Sequence, residues 1–558
     1  MTTNCLTALK GLAATAAPEH PATIKPRSRA DAPVDAVIYL RSSGDRRAAE
    51  AHDRLLQALQ SVPWIADVQP RRDTFGLVFT EEIVDRWAAA LARGELVAVD
   101  PAQGLGARRI AVQFLDANLS KALHVGHMWS VALGEAFASM LTLAGARVTR
   151  RLWYADAGRN MFEAVAGVLA DGNGSPRLPS GVKSDQYVGR CYADYVGRVH
   201  LAEQEAEQSP IDRELARFDD RAEELMKLWF SGDPVVGEHW RLVRGWAAAG
   251  QKETLERIGV RFDEPMFQSD AFEDMAWLIR EGLRRELLQR EDDGRIVYRS
   301  PRKEFDAITL VRHDGFPTEY ARLITLIWRD QPIVPDYASF IAISGDEWAP
   351  STVLMDEFLE RFGPYPLLDK LTVYYHAMMT LHGTKMKSRD GRALLVDQLF
   401  DGLTQEPRLR TLAPWGDGSF LDLLANILIR TFFLARHPRK NVAFDWDGLL
   451  DDRNNPGWSV CQALCRMRGT MDPGASASQD TAGFRRLLVA RALEIESRLL
   501  YAVENHDPRS LTKYLLQVAE LCLELPADQE LSAMGRTLLE TLLTALGLPV
   551  RPASSLAG

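Results

Sequence analysis

The sequence of 558 residues predicts an α/β protein with a small N-terminal α/β module, a larger central α/β domain and an all-α C-terminal bundle. Three observations favour this fold class. Strand-like and helical segments alternate over the first hundred residues, and an apolar run at 109–115 passes through a polar loop into a helix-periodic segment. From about residue 417 onward the pattern is helical. A chain of this length suggests two to four domains.

Composition and charge narrow the class of protein. The apolar fraction of 46% and the charged fraction of 25% are ordinary for a soluble globular protein. No apolar run is long enough to cross a membrane, and the N-terminus lacks the compact apolar segment of a secretory signal. The five cysteines are scattered without zinc-site spacing, so we expect buried free thiols in a reducing cytoplasm and no structural metal.

The elements follow in chain order. Residues 36–40 predict a strand, 46–59 a helix, 148–154 a strand and 171–183 a loop rich in Gly, Pro and Ser. Residues 187–256 predict a charged helical insertion. A further strand is expected at 340–343 and an apolar-striped helix at 420–436. No P-loop and no G-x-G-x-x-G motif occurs, so kinase-type and dinucleotide-binding functions have little support.

The stretch from Asn118 to His127 carries the first candidate site. The loop after strand 109–115 brings His124 and His127 to a helix N-terminus, whose free backbone N–H groups and positive dipole suit a polyphosphate. Gly126 lets the backbone approach a flat ligand. Val131, Leu133, Phe137, Met140, Leu141 and Ala144 share one side of the helical period, which predicts an amphipathic helix. Taken alone, such a pair is more often two surface histidines at the start of a helix.

The pattern Asn-x-x-Lys-x-x-His-Val-Gly-His, between a strand and a helix, resembles the nucleotide-binding motif of class I aminoacyl-tRNA synthetases, and its Asn and Lys resemble the arginyl-tRNA synthetase branch. A partner motif stands at 385–391 (KMKSRDG), and similar patterns follow in order along nearly the whole chain. The resemblance implies a tRNA-elbow-binding-like module at 1–105, a Rossmann-type class I catalytic domain at 106–416 with an insertion at about 187–256, and an anticodon-binding-like bundle at 417–558.

The resemblance also implies the reaction and its residues. The family activates an amino acid with ATP to an aminoacyl adenylate and passes the acyl group to tRNA. Ser388 stands where other class I enzymes carry the catalytic lysine, and Lys121 stands where many arginyl enzymes compensate for that loss. The implied catalytic residues are Lys121, His124, His127 and Arg389, and the implied ATP-binding residues are Asn118, Gly126, Lys385, Met386, Lys387 and Ser388.

The amino-acid pocket departs from the family pattern. Gln268 and Ile324 stand where the family carries a Glu and an Asp, and Glu347 stands where it usually carries Gln. An arginine head group left without carboxylates would lose several kcal/mol, which corresponds to roughly a thousandfold discrimination or more. The implied pocket comprises Asp116, Asn118, Asp156, Gln268, Tyr320, Ile324 and Glu347. We therefore expect a substrate other than ordinary arginine.

The implied partners are ATP with Mg²⁺, an amino acid and tRNA, and we expect a cytoplasmic monomer without membrane contact. The net charge of −10 argues against a general nucleic-acid coat but leaves room for local basic patches. The candidate patches are Arg150-Arg151, 436–440, Arg466 with Arg468, and Arg485-Arg486.

Three hypotheses remain open at this stage. The chain is an arginine–tRNA ligase with an unusual pocket, or a diverged paralogue that activates another amino acid for tRNA or a small amine, or a non-catalytic RNA-binding relative. Retention of Lys121, His124, His127 and Arg389 counts against the last of these. Gln268 and Ile324 favour the second hypothesis over the first.

Overall fold

The computed structural model describes residues 5–40, 46–94, 104–206, 221–302, 307–381, 384–385, 394–414, 416–469, 480–548 and 550. Its strands are β1 Ala22–Pro26, β2 Ala36–Leu40, β3 Ile65–Arg71, β4 Thr74–Phe79, β5 Arg109–Asn118, β6 Arg147–Ala155, β7 Glu264–Phe267, β8 Leu288–Arg290, β9 Ile296–Arg299, β10 Ala307–Val311, β11 Ser339–Gly345, β12 Leu371–His376, β13 Met379–Leu381, β14 Thr384–Lys385 and β15 Val442–Phe444.

The α-helices in those ranges are α1 Cys5–Ala16, α2 Arg46–Gln60, α3 Glu81–Ala92, α4 Met128–Leu143, α5 Arg159–Asp171, α6 Ser184–Ala206, α7 Arg221–Phe230, α8 Pro234–Arg257, α9 Phe272–Arg284, α10 Glu319–Asp330, α11 Ala349–Phe362, α12 Val396–Gln405, α13 Pro407–Leu412, α14 Gly418–Leu434, α15 Trp446–Leu450, α16 Gly457–Met467, α17 Thr481–Glu504, α18 Pro508–Glu524 and α19 Gln529–Ala545.

The N-terminal part is an antiparallel sheet in the order β1-β2-β4-β3 with helices packed on it. Alternate side chains of β2 and β4 are buried, as a sheet with one covered face requires. Thr80 caps α3 by accepting a hydrogen bond from the backbone N–H of Ile83. The strand predicted at 36–40 is confirmed, and the helix predicted at 46–59 extends one residue further.

The central sheet positions the site. It is parallel, in the order β12-β11-β5-β6-β7. Sequence order reverses beside β5, because β6 lies on one side of it and β11 on the other. In open parallel sheets, ligands bind in the crevice at such a switch point, outside the carboxyl ends of the strands. The sheet and its helices confirm the predicted α/β class, and the strands predicted at 109–115, 148–154 and 340–343 each run a few residues longer.

Helix α4 differs from the amphipathic helix that we predicted. Residues on nearly every side of it are buried, among them Ala132, Ala136 and Glu135 outside the predicted face. Gly134 explains part of this, because a Cβ there would stand 2.1 Å from the ring of Phe114 in β5. A helix enclosed between a sheet and a bundle buries its whole circumference, and sequence periodicity cannot anticipate the second layer.

The helical insertion predicted at 187–256 corresponds to α6, α7 and α8. A buried polar cluster joins it to α12: the Lys183 ammonium lies 2.7 Å from Asp397 and 3.1 Å from Asp185. Thr254 on α8 also donates to Asp397, at 3.1 Å. The insertion is therefore fixed against the segment that follows the second motif. The domain limits at 105 and 416 stay predictions.

The C-terminal region is helical, as predicted, and it contains one short strand in addition. Val442–Phe444 forms a strand that pairs in parallel with Met379–Leu381. Three strand residues between helices give too short an apolar run to distinguish from helix by periodicity. The pairing joins the bundle to the chain just before the second motif.

In three of the four basic patches proposed from the sequence, arginines are engaged in contacts within the fold, whereas His437, Arg439 and Lys440 of the fourth are exposed. Arg151 is 3% exposed and forms an ion pair with Asp330 at 2.7 Å. Arg486 bonds Asp35 at 2.6 Å, across the contact between α17 and the N-terminal module. Arg466 donates to the carbonyl of Leu525. These side chains hold the fold together, so they leave the nearby surface less basic than the sequence suggests.

Cys191, Cys461, Cys465 and Cys522 are buried and form no disulfide, which confirms the expected thiols, whereas the side chain of Cys5 lies outside the described residues. No described helix has both the length and the apolar character needed to cross a membrane.

Candidate functional site

The loop after β5 is fixed by its own side chains and by α8. The Asn118 Oδ1 accepts from the backbone N–H of Ser120 at 3.0 Å, which makes a tight polar turn. The Gln251 amide, fully buried on α8, donates to the carbonyls of Asn118 and Lys121 at 3.0 and 2.8 Å. The predicted ATP-binding residue Asn118 therefore shapes the loop with its side chain. These contacts fix the backbone of the loop that precedes His124.

The two histidines lie together at the start of the helix, as predicted. His124 caps the short 3-10 helix Val125–His127, and α4 begins directly after it. The Nδ1 atom of His124 accepts from the backbone N–H of Gly126 at 3.2 Å, and that of His127 accepts from the N–H of His124 at 3.1 Å. The ring centroids are 4.0 Å apart. Acceptance at Nδ1 places the proton of the neutral His124 ring on Nε2, whereas Nδ1 of His127 also lies 3.2 Å from the carbonyl oxygen of His124, and its tautomer follows from which of these two contacts forms.

The surroundings keep both imidazoles neutral. Burial and the positive charge of Lys121 lower the pKa of His127 to about 3. Burial, His127 and Lys121 hold the pKa of His124 well below its usual range. Two neutral imidazoles beside one ammonium form a site for an anion with several oxygens, and their protonation does not change near neutral pH.

The second motif falls mainly outside the described residues: this applies to Met386, Lys387, Ser388, Arg389 and the side chain of Lys385. Its described flanks adjoin the histidine loop. The backbone N–H of Val125 donates to the carbonyl of Leu394 at 2.9 Å, and that of Val396 donates to the carbonyl of Leu123 at 3.0 Å. The chain that leaves the second motif thus pairs with the first.

His376, at the end of β12, joins this region although sequence reasoning did not select it. Its Nε2 lies 2.8 Å from the Ser130 hydroxyl, and its ring stacks on Trp129 at 5.2 Å. The charge of the predicted pocket residue Glu347 acts on His376, so Glu347 lies on the β11–β12 side of the crevice. A histidine two strands away along the sheet gives no local sequence signal.

A pair of carboxylates lies on the other side of the histidine loop. The side chains of Asp116 and Glu319 are in contact with solvent, but each carboxylate is surrounded by protein atoms. This combination is typical of a cleft. Withdrawal from bulk water, and then repulsion by Glu319, raise the pKa of Asp116 to about 7. Desolvation also raises the pKa of Glu319, although the charges of Arg322 and Lys121 oppose this. Two coupled carboxyls in a cleft suit an ammonium group.

Beside Glu319 opens a cavity of about 210 Å³. Its lining residues are Ala157, Gly158, Arg159, Met226, Phe230, Arg312, Phe316, Pro317, Thr318, Glu319 and Arg322. Glu319 and Arg322 lie on the first turn of α10, and Gly158 follows β6, so the cavity adjoins the carboxyl edge of the sheet. It is the part of the crevice that a small ligand's far end could occupy.

The residues predicted to form the amino-acid pocket have different surroundings in the structure. Gln268 is 3% exposed, and its Oε1 accepts from the Nε of Arg322 at 2.7 Å. Ile324 is fully buried in an apolar cluster, so the interpretation of Ile324 as a pocket residue is wrong. The helix turns Arg322 toward Gln268 instead. Tyr320 contacts the Ser351 hydroxyl at 3.2 Å and the edge of Trp348.

Asp156 is fully buried and bonded on several sides. Its carboxylate accepts from the Nε of Arg244 at 2.8 Å, from the Ser269 hydroxyl at 2.6 Å and from the Ser269 backbone N–H at 2.9 Å. The indole of Trp240 donates to the Asp156 carbonyl at 2.8 Å. Asp156 thus holds the wall behind Gly158 rather than opening to the cavity.

The chain is similar in sequence to known aminoacyl-tRNA synthetases. A family model described as tRNA synthetases class I (R), catalytic domain, matches residues 89–407, more than half of the chain. The arginine–tRNA ligase of Treponema pallidum is 26% identical over 439 residues, which cover 75% of this chain and 72% of that one. The arginine–tRNA ligase of Bacteroides fragilis is 24% identical over 392 residues, but only 63% of its length is covered.

Solved structures share the fold. Thermus thermophilus arginyl-tRNA synthetase matches with a TM-score of 0.65 at 20% identity, covering 98% of this chain and 99% of that one. Plasmodium falciparum arginyl-tRNA synthetase matches with a TM-score of 0.63 at 13% identity and the same coverage.

Proposed function

This chain belongs to the class I tRNA synthetase family of the arginyl type, and from that premise we propose that it activates an amino acid with ATP and transfers it to tRNA. In the first step the amino-acid carboxylate attacks the α-phosphate, which forms the aminoacyl adenylate and releases pyrophosphate. In the second, a ribose hydroxyl of tRNA attacks the acyl carbon and releases AMP. Both steps depend on positioning and on stabilisation of charge.

The imidazole pair is the observation that carries the proposal. Charge develops on the phosphate oxygens as pyrophosphate leaves. We assign the Nε2–H tautomer to both rings, which makes each of them a donor for such oxygens. Lys121 supplies a cation beside them, because its charge already acts on both rings. Asp116 and Glu319 would hold the α-ammonium group of the amino acid.

The cofactor and partner assignments belong to the same proposal. Among the described residues, no group of three His, Cys, Asp or Glu could hold a metal ion. We therefore assign Mg²⁺ to the triphosphate itself, where carboxylates contribute only one or two ligands. The tRNA would contact the N-terminal module and the helical bundle, in a cytoplasmic monomer.

ATP–pyrophosphate exchange tests the proposal. We expect exchange with a pool of amino acids that includes non-protein ones, with or without added tRNA. His127→Ala should reduce the exchange rate about a hundredfold or more, because one fixed donor is lost. His313→Ala is the matched control, since His313 is an exposed histidine distant in sequence from the motif. Silence of the wild-type enzyme with the whole pool and tRNA would favour a non-catalytic RNA-binding role.

A further inference from the structure

We infer that the side-chain end of the amino-acid site accepts an acidic side chain, with Arg322 as the residue that determines this specificity. The inference rests on the proposed function, because it assigns the cavity beside Glu319 to the far end of the activated amino acid. It opposes the simplest expectation from the family, in which the site would receive a guanidinium.

Among the described residues, Arg322 has no carboxylate in direct contact, although the charges of Glu319 and Asp156 act on it. Its side chain is 8% exposed, and its Nε donates to the amide oxygen of Gln268, which is neutral. Its Nη1 donates to the carbonyl of Pro317 at 2.9 Å. Within the described ranges, no carboxylate lies at ion-pair distance from its guanidinium. A buried cation in that state is unfavourable unless something else supplies the negative charge.

Two further arginines line the cavity, together with one carboxylate, Glu319. Arg312 and Arg159 each have a carboxylate partner, Asp314 at 2.9 Å and Glu163 at 3.0 Å, respectively. The Nε atom of Arg312 is buried without a hydrogen-bond partner. Burial lowers the pKa of Arg322 and repulsion from Arg312 adds to this, whereas the charges of Glu319 and Asp156 oppose it. A ligand carboxylate would satisfy donors that the protein leaves open.

The backbone at Gly158 leaves room for the Arg322 guanidinium. Gly158 lies against Arg322, and a Cβ at Gly158 would stand 3.2 Å from Nη2. An alanine at this position would require the guanidinium to shift by a few tenths of an ångström. The substrate's two ends are also distinguished by charge, since Glu319 faces Asp116 and Lys121 at one end while Arg322 faces the cavity at the other.

An arginine substrate fits poorly for the same reasons. Its guanidinium would enter a wall that presents Arg322 and Arg312, and like charges at close range exclude a ligand strongly. The one carboxylate of the lining, Glu319, stands at the end assigned to the α-ammonium group. A carboxylate can instead pair with Arg322 in a forked, charge-assisted contact.

The test compares L-aspartate, L-glutamate and L-2-aminoadipate with L-glutamine and L-arginine. We expect one of the acidic amino acids to support exchange at least tenfold better than arginine. Exchange with arginine or glutamine instead would overturn the inference and leave the proposed function standing. Absence of exchange with all five and with the wider pool plus tRNA would overturn the proposed function.

Two variants and a binding measurement separate specificity from folding. Gln268→Glu is isosteric and places a carboxylate against Arg322, so it should raise the KM of the acidic substrate about tenfold to a hundredfold and leave the KM of ATP unchanged. Arg322→Gln should do the same. Arg329→Gln is the control, an exposed arginine on the same helix. If no acidic amino acid raises the thermal midpoint of the wild-type protein, the inference fails even where exchange is undetectable.

Discussion

The two ends of the cleft differ in how they are built. At the phosphate end, one continuous stretch from Asn118 to His127 supplies the donors. Hydrogen bonds between its own side chains and backbone set most of its geometry, and Gln251 on α8 supports it. At the side-chain end, Arg322, Gln268 and Asp156 come from separate elements. The first end is a local motif, and the second is a meeting of distant residues.

This difference indicates at which end of the cleft the residues can be substituted more readily. A motif whose hydrogen bonds are internal tolerates little alteration, because each residue fixes the next. A pocket assembled from separate helices can exchange its charge by a coordinated change at two contacting positions. Gln268 and Arg322 are such a pair, joined at 2.7 Å. The catalysed chemistry and the choice of amino acid therefore reside in separable parts.

The largest expected effect is at the phosphate end. His124→Ala should lower kcat by about a hundredfold to a thousandfold for every amino acid, because the lost Nε2–H serves the triphosphate that all of them share. The ranking of amino acids should stay the same. If His124→Ala changed the order in which amino acids support pyrophosphate exchange, the two ends of the cleft would not act independently.

The next effect is on stability at the side-chain end. Asp156→Ala removes a buried carboxylate from Arg244 and Ser269, and breaking such a buried pair typically costs about 3–5 kcal/mol. We expect a clear drop in the denaturation midpoint in urea. Asp314→Ala is a milder comparison, since its partner Arg312 is partly exposed. Equal midpoints for the two variants would show that the Asp156 network does not hold the wall.

A pH dependence should separate the two ends further. Asp116 has a pKa of about 7 and His127 one of about 3, so only the carboxyl changes charge between pH 6 and 8. The carboxylate is the form that binds an ammonium group, and it increases as pH rises. The KM of the amino acid should therefore fall about tenfold from pH 6 to pH 8.

Asp116→Asn should abolish that dependence while leaving the KM of ATP unaffected by pH. A fall in activity below pH 7 that persists in this variant would place the titrating group elsewhere, for example on an imidazole whose pKa is closer to its ordinary value.

The smallest effect concerns the basic residues that bridge the N-terminal module and the bundle. Arg485→Gln should lower stability by about 1 kcal/mol or less, because its partners Asp85 and Glu530 are half exposed. Its effect on tRNA affinity should be slight. Arg439→Gln, at a basic position without such a pair among the described contacts, is the comparison in a filter-binding assay at fixed salt. A larger loss of tRNA affinity for Arg485→Gln would restore the patch interpretation.

The phosphate end of the cleft was easier to predict from the sequence than the side-chain end. The strand, polar loop and histidine pair were predictable because strand periodicity, turn chemistry and motif spacing all act within about twenty residues. The position of the second motif was visible from its residues alone. Its side chains lie outside the described residues, so the catalytic role implied for Arg389 stays a prediction.

The side-chain pocket could not be read in the same way. Counting four residues from Tyr320 selects Ile324, but the rotation of α10 places Ile324 in the core and Arg322 against Gln268. Helix rotation is set by packing, which the sequence does not display. Likewise, the partner of Arg485 lies 400 positions away, at Asp85, so a basic doublet looked exposed although it is paired.

A crystal structure with ATP bound tests the central claim most directly. We expect phosphate oxygens within about 2.7–3.2 Å of the Nε2 atoms of His124 and His127, with the cavity at Arg322 left to another ligand. A triphosphate held instead by Arg322 and Arg312, away from both imidazoles, would contradict the account of both ends of the cleft.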